Sequence, residues 1–133
     1  MKESFTVQSR GHEELIDITG MVAAIIPKHA ISDGICVIYT PHTTAAITIN
    51  ENADPTVRSD IVKGLRHLKF EQVNFSHSEG NSPAHLKSSI IGCSETVIIE
   101  NGRMILGTWQ GIYFCEFDGP RTRTVLVTII SQK

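Results

Sequence analysis

The chain has 133 residues, 41% of them hydrophobic, and a formal net charge of −2 at pH 7. That size and apolar share suit a single domain over residues 1–133 that buries most of its own nonpolar surface. Acids and bases are scattered, so no basic stripe marks a nucleic-acid surface, and no apolar run reaches membrane-spanning length. The opening Met1-Lys2-Glu3-Ser4-Phe5-Thr6-Val7 also lacks the apolar stretch and cleavage site of a secretory signal. A cytoplasmic protein with neither nucleic-acid nor membrane partner is expected.

Phe5 and Val7 alternate with polar residues, and Leu15-Ile16-Asp17-Ile18 follows a glycine turn, which predicts two opening strands paired as a hairpin. Thr19 can cap a helix through Met21 to Ile26, ended by Pro27. Ile35 to Tyr39 is a continuous apolar strand. Thr44 to Asn50 alternates, with Ala45, Ile47 and Ile49 on a core face and Thr44, Ala46, Thr48 and Asn50 on a polar one. Asp54-Pro55 starts the strongest helix, whose apolar stripe is Val57, Ile61, Leu65 and Leu68. Asn74 to Pro83 reads as a loop, and Ala84 to Ile91 as a short helix before Gly92. The remainder is strand: Thr96 to Glu100, Met104 to Leu106, Trp109 to Phe117 and Thr124 to Ser131, the last with apolar residues on both faces. Roughly eight strands against three short helices predict an α+β fold, a two-layer sandwich of mainly antiparallel strands.

Cys36, Cys93 and Cys115 are odd in number and widely spaced, so buried free thiols are expected rather than a disulfide framework or a paired metal knuckle.

Three polar clusters lie at strand ends or in loops, where a scaffold displays functional groups. The first runs from Pro41-His42-Thr43-Thr44 to Asn50-Glu51-Asn52-Ala53-Asp54. There Asp54 is the helix cap, and Glu51 has no comparable structural duty. The second is His77-Ser78-Glu79-Gly80-Asn81-Ser82-Pro83-Ala84-His85. His42, His77 and His85 can meet as a three-imidazole zinc site with an open fourth position, although their spacing matches no standard zinc signature. The competing reading is surface or hydrogen-bonded histidines. The third cluster holds Gly107-Thr108-Trp109-Gln110 and Glu116-Phe117-Asp118-Gly119-Pro120-Arg121. Asp118-Gly119 reads as a hairpin turn and Trp109 as core, while a half-buried Glu116 needs a partner, and Arg121 either supplies it or forks onto a phosphate.

The stretches Pro41 to Asp54, His77 to Lys87, Gly107 to Gln110 and Glu116 to Arg121, in this order and spanning nearly the whole chain, resemble the signature segments of the YjbQ-like family. The resemblance implies a compact α+β sandwich that assembles as a homotrimer, with the site near a subunit boundary. It also implies the family's label of secondary thiamine-phosphate synthase, joining a hydroxymethylpyrimidine diphosphate to a thiazole phosphate with loss of pyrophosphate. The chain is far too short for a (β/α)₈ barrel of about 250 residues. It has no glycine-rich phosphate loop.

The expected catalytic groups are therefore Glu51, Glu79, Asn81, Gln110 and Glu116. Thr43, Asn50, Lys87 and Arg121 are expected on substrate, and His42, His77 and His85 on a divalent metal, zinc or magnesium. Two readings compete with a transferase acting on a small phosphorylated metabolite. One is a zinc hydrolase with Glu79 or Glu51 as general base. The other is a trimeric, non-catalytic binder of such a metabolite.

Overall fold

The computed structural model describes residues 2–132. In chain order these form β1 (Lys2–Gln8), β2 (Glu14–Asp17), α1 (Thr19–Ala23), β3 (Gly34–Tyr39), β4 (Ala45–Glu51), α2 (Pro55–Arg66), α3 (Ser82–Ile91), β5 (Ser94–Glu100), β6 (Arg103–Met104), β7 (Gln110–Glu116) and β8 (Thr122–Ser131). Short 3₁₀ turns occupy Ile26–His29 and Phe70–Gln72. The strands make a five-stranded sheet in the order β1-β8-β3-β5-β6 and a three-stranded sheet in the order β2-β7-β4. Neighbouring strands run antiparallel.

The expected opening hairpin does not form. β1 pairs with β8 and β2 with β7, in different sheets. Between them the chain turns a polar corner: Glu14 Oε2 accepts the N–H groups of Arg10 and Gly11, each at 2.6 Å. Ser9 N–H is bound by Arg121 O at 3.0 Å. The Ser9 bond continues the β1–β8 ladder by one step, and the Glu14 carboxylate then closes the corner that leads into β2 of the second sheet.

The sheets pack face to face. Val125, Val127, Ile129, Cys36, Ile38 and Val97 of the larger sheet meet Ala45, Ile47, Ile112 and Phe114 of the smaller one. A second cluster lies on the other side of the smaller sheet, where Leu15, Ala46, Tyr113 and Cys115 are covered by Ile61, Val62 and Leu65 of α2 and Ala84 and Ile91 of α3. The helices thus add a layer to the expected sandwich. They also cover Ala46, so the outward face of β4 is not polar throughout.

The strand buried on both faces is therefore β7, not β8. β8 alternates buried and half-buried residues. On its outer side Ile130 stands opposite Ile35, which stands opposite Ile98 on β5. Ile130 and Ile98 are 53% and 62% exposed. α1 is also shorter than expected, and Thr19 does not cap it: its hydroxyl donates to Asp17 Oδ1 at 2.6 Å and accepts Ile112 N–H at 2.8 Å, tying the helix to β7. At α2 the expected signal holds, with Asp54 Oδ1 accepting Thr56 N–H at 2.9 Å ahead of Pro55. The helix ends at Arg66, which leaves Leu68 outside the stripe and exposed.

Gly34 permits the closest approach in the larger sheet. A β-carbon there would lie 2.2 Å from the carbonyl oxygen of Ile130, a backbone atom held in the ladder. Gly34→Ala is expected to cost about 2 kcal/mol or more, as overpacking does. A urea midpoint unchanged from wild type would contradict this.

Candidate functional site

One end of the smaller sheet gathers most of the polar groups. Glu116, the last residue of β7, stands between Glu14 of β2 and Ala45 of β4. Its carboxylate is fully buried and engaged at both oxygens. Oε1 accepts from Ser9 Oγ at 2.6 Å and Arg123 Nε at 2.9 Å. Oε2 accepts Asp118 N–H at 3.0 Å and is paired with Arg123 Nη2. Arg123, also buried, reaches Thr44 Oγ1 at 2.9 Å. Burial pushes the Glu116 carboxyl up, but the bonds from Arg123, Ser9 and Asp118 together with the Arg123 charge outweigh it and hold it below its usual value. The partner of Glu116 is thus Arg123, not Arg121, and its filled coordination makes it a structural anchor.

His42 sits beside this pair. Its Nε2 accepts Thr124 N–H at 2.9 Å, a role open only to a neutral ring. Burial, then the nearby charge of Arg123, lowers its pKa against the opposing pull of Glu116. His77 and His85 do come together, with ring centroids 5.4 Å apart and edge to face, and His77 Nε2 lies 3.5 Å from Glu79 Oε1. Among the described residues of one chain, however, no three His, Cys, Asp or Glu side chains converge as a metal-ligand set. Thr43 and His85 instead line a hollow of about 470 Å³ with Ser88 and Cys93. Cys93 is exposed, contrary to expectation; burial pushes the Cys36 thiol up to about 11 and the Cys115 thiol up to about 12.

Beneath α3 lies a cavity of about 310 Å³ lined by Lys87, Asn81, Glu79, Glu71, Glu13, His12 and Asp118. Lys87 is only 1% exposed. Its Nζ lies 2.5 Å from Glu13 Oε2 and 3.5 Å from Glu71 Oε1. Glu13 Oε1 accepts in turn from Arg66 Nε at 2.7 Å. Burial pushes the Glu13 carboxyl up, but its bonds and charge contacts with Lys87 and Arg66 hold it below the usual range. Asp118 Oδ2 takes Asn81 Nδ2 at 2.9 Å and Arg121 Nη2 at 3.0 Å. Glu79, Asn81 and Lys87 therefore share one cavity, with Arg121 at its rim through Asp118. Sequence reading missed Glu13, Glu71 and His12. Glu13 meets Lys87 across 74 positions, so no local pattern announces it.

Asn50, Glu51 and Gln110 lie elsewhere. Glu51 faces Gln110 at the far end of the same two strands, six residues from the Ala45–Glu116 pair and so about 20 Å away within one chain. Gln110 Oε1 accepts Gly107 N–H at 2.8 Å, and Asn50 Oδ1 accepts Glu51 N–H at 2.7 Å. Trp109 is 61% exposed on the adjoining turn and is not core.

The family model described as UPF0047 protein YjbQ-like matches residues 3–132. A UPF0047 protein of Methanocaldococcus jannaschii is 55% identical over 97% of this chain and 94% of its own length. UPF0047 protein YugU of Bacillus subtilis is 50% identical over 98% and 99%. Among solved structures, an uncharacterised YjbQ/UPF0047 protein of Clostridium acetobutylicum superposes with a TM-score of 0.93 at 49% identity, covering 96% of this chain and 99% of that one. A YbjQ-like protein of unknown function from Sulfolobus solfataricus gives 0.94 at 32% identity, covering 99% and 97%.

The pKa directions fix how acid acts. Carboxyls depressed in the fold add stability above their unfolded pKa near 4.5 and lose it as pH falls further. A histidine depressed in the fold is protonated first in the unfolded chain, so His42 begins to subtract stability below about 6.5. Urea midpoints are expected to fall from pH 7.5 to 5.5 and more steeply to 4.0. Glu116→Gln, which leaves Arg123 buried without its counter-charge, is expected to lose about 3–5 kcal/mol at pH 7.5. A variant as stable as wild type there would contradict the anchoring role.

Proposed function

Because the chain belongs to the UPF0047 YjbQ-like family, we propose that it is a group-transfer enzyme working on a small phosphorylated metabolite in the Lys87 cavity, with secondary thiamine-phosphate synthesis as its reaction. The observation that carries this reading is the Lys87 ammonium, 1% exposed yet lining a cavity with three further acidic side chains besides its partner Glu13. A buried cation in a concave polar site is where catalytic groups concentrate.

The chemistry suits that mixture of charges. The bond from the pyrimidine methylene to the diphosphate oxygen breaks, and its electron pair leaves with pyrophosphate. The thiazole nitrogen donates its lone pair to the methylene carbon and becomes the cationic thiazolium centre. Lys87 and Arg121 suit the anionic oxygens of the leaving group. Glu79 and Asp118 suit the positive charge developing on carbon and then on nitrogen. The divalent ion expected with such a diphosphate has no ligand set within the described residues of one chain, and no step here runs through it. A family resemblance also underlies the proposed homotrimer, which the exposed apolar strip of Ile130, Ile98 and Tyr39 on the larger sheet supports. Among the described residues no helix is long and apolar enough to cross a membrane.

Two measurements test the proposal. Purified protein given both thiamine precursors and magnesium is expected to release thiamine phosphate, detected by mass spectrometry. Lys87→Met is expected to lower kcat/KM by about 100-fold and Asp118→Asn by about 10-fold. Wild-type protein that binds the precursors without product would leave a binder and sink the transferase. Separately, the pair Ile98→Asp and Ile130→Asp is expected to convert a trimer to monomer by light scattering, and a wild-type chain that is already monomeric would refute the assembly.

A further inference from the structure

Lys87 has three ammonium donors and spends one of them well. Glu13 Oε2 takes it at 2.5 Å, while the second acceptor, Glu71 Oε1, stands at 3.5 Å, beyond the range of a strong N–H···O bond. The side chain is 1% exposed and lines the cavity, so its remaining donor capacity is available to a cavity occupant. Arg66, itself 56% exposed, holds the other oxygen of Glu13 at 2.7 Å, so Lys87 shares this carboxylate with a second cation. Among the described residues, Glu71 is the other acid against Lys87.

Glu71 is poorly placed to hold that position. Its side chain is 57% exposed and extends from the short 3₁₀ turn Phe70–Gln72. The segment containing it starts at Lys69, with φ +61°, and reaches Gly80, with φ +76°, and between those points it joins neither sheet. A long contact from an exposed turn is readily exchanged for a shorter one.

We propose that Lys87 is the seat for a phosphoryl oxyanion of the ligand and that Glu71 is a built-in competitor for that seat, displaced when the ligand enters. This rests on reading the cavity as the substrate site. Glu71 thereby acts as a specificity residue. A ligand carboxylate merely equals it, whereas a multiply charged phosphate or diphosphate outbids it. Arg66 is a positioning residue that acts through Glu13, holding this carboxylate so that it does not neutralise Lys87 outright.

The test is calorimetric titration of the full chain with pyrophosphate, inorganic phosphate and malonate, for wild type, Glu71→Gln and Lys87→Met. Glu71→Gln is expected to tighten pyrophosphate about tenfold, as removal of a competing closed state does. Lys87→Met is expected to weaken it by at least as much. Malonate is expected to bind wild type at least tenfold more weakly than pyrophosphate. Displacement has its own readout, because Gln72 N–H is bound to Lys69 O and Val73 N–H to Phe70 O. Saturating pyrophosphate is expected to speed hydrogen exchange at both amides in wild type. Slower exchange, an affinity unchanged in Glu71→Gln, or malonate binding as tightly as pyrophosphate would overturn the proposal. Glu71→Gln alters an exposed residue, so the test stands even if Lys87→Met does not fold. Displacement by pyrophosphate without thiamine-phosphate formation would reject only the transferase reading; thiamine-phosphate formation with Glu71→Gln indistinguishable from wild type would reject only this one.

Discussion

The buried pair of Glu116 and Arg123 joins the two sheets, because Glu116 ends β7 in the smaller sheet and Arg123 lies near the start of β8 in the larger one. Two ions removed from water are tolerated only when geometry is good and the remaining donors and acceptors are filled. Here Ser9, Thr44 and the amide of Asp118 fill them. Those three groups come from the corner after β1, the residue before β4 and the β7–β8 connection. One ion pair thereby fixes the entry or exit of four strands, and the chain segments around it have little freedom to reposition.

The cavity inherits that rigidity on one side only. Asp118 is held by its own backbone bond to Glu116 and by Asn81 and Arg121. Glu13 is clamped between Arg66 of α2 and Lys87 of α3, so it also ties the helical layer to the start of β2. The opposite wall is the stretch from α2 to α3, which carries Glu71 and Glu79 and has only a 3₁₀ turn of its own. A fixed floor and a lightly built wall are the usual division between groups that must be pre-positioned and groups that admit and release a ligand.

Local signals read well from sequence where the deciding partner is near in the chain. Asp54 and Pro55 started α2 as expected, because the cap is made two residues away. The alternation of β4 placed Ala45 and Ile47 on the core face correctly. Failures came where the partner is distant. Nothing near Phe5 or Leu15 shows that β1 and β2 pair with strands more than 90 positions away. Thr19 has the chemistry of a cap but uses its hydroxyl on Asp17 and Ile112. Within one chain the strand buried on both faces is β7 rather than β8, since two apolar faces in sequence do not reveal which strand lies under the helices. At the site, Lys87, Glu79 and Asn81 were legible as a polar cluster, whereas Glu13 looked like ordinary surface charge because its partners are on two later helices. Gln110 and Glu51 were grouped with Glu116 by residue type, and strand length separates them.

The position of β8 bears on how the molecule is made. It lies between β1 and β3 and hydrogen-bonds to both, so the larger sheet has a gap through its middle until the last strand is available. Until β8 docks, the edges of β1 and β3 that it pairs with stay open. Closure is a single insertion of long sequence separation, which makes it slow and leaves those edges open to pairing with other chains in the meantime.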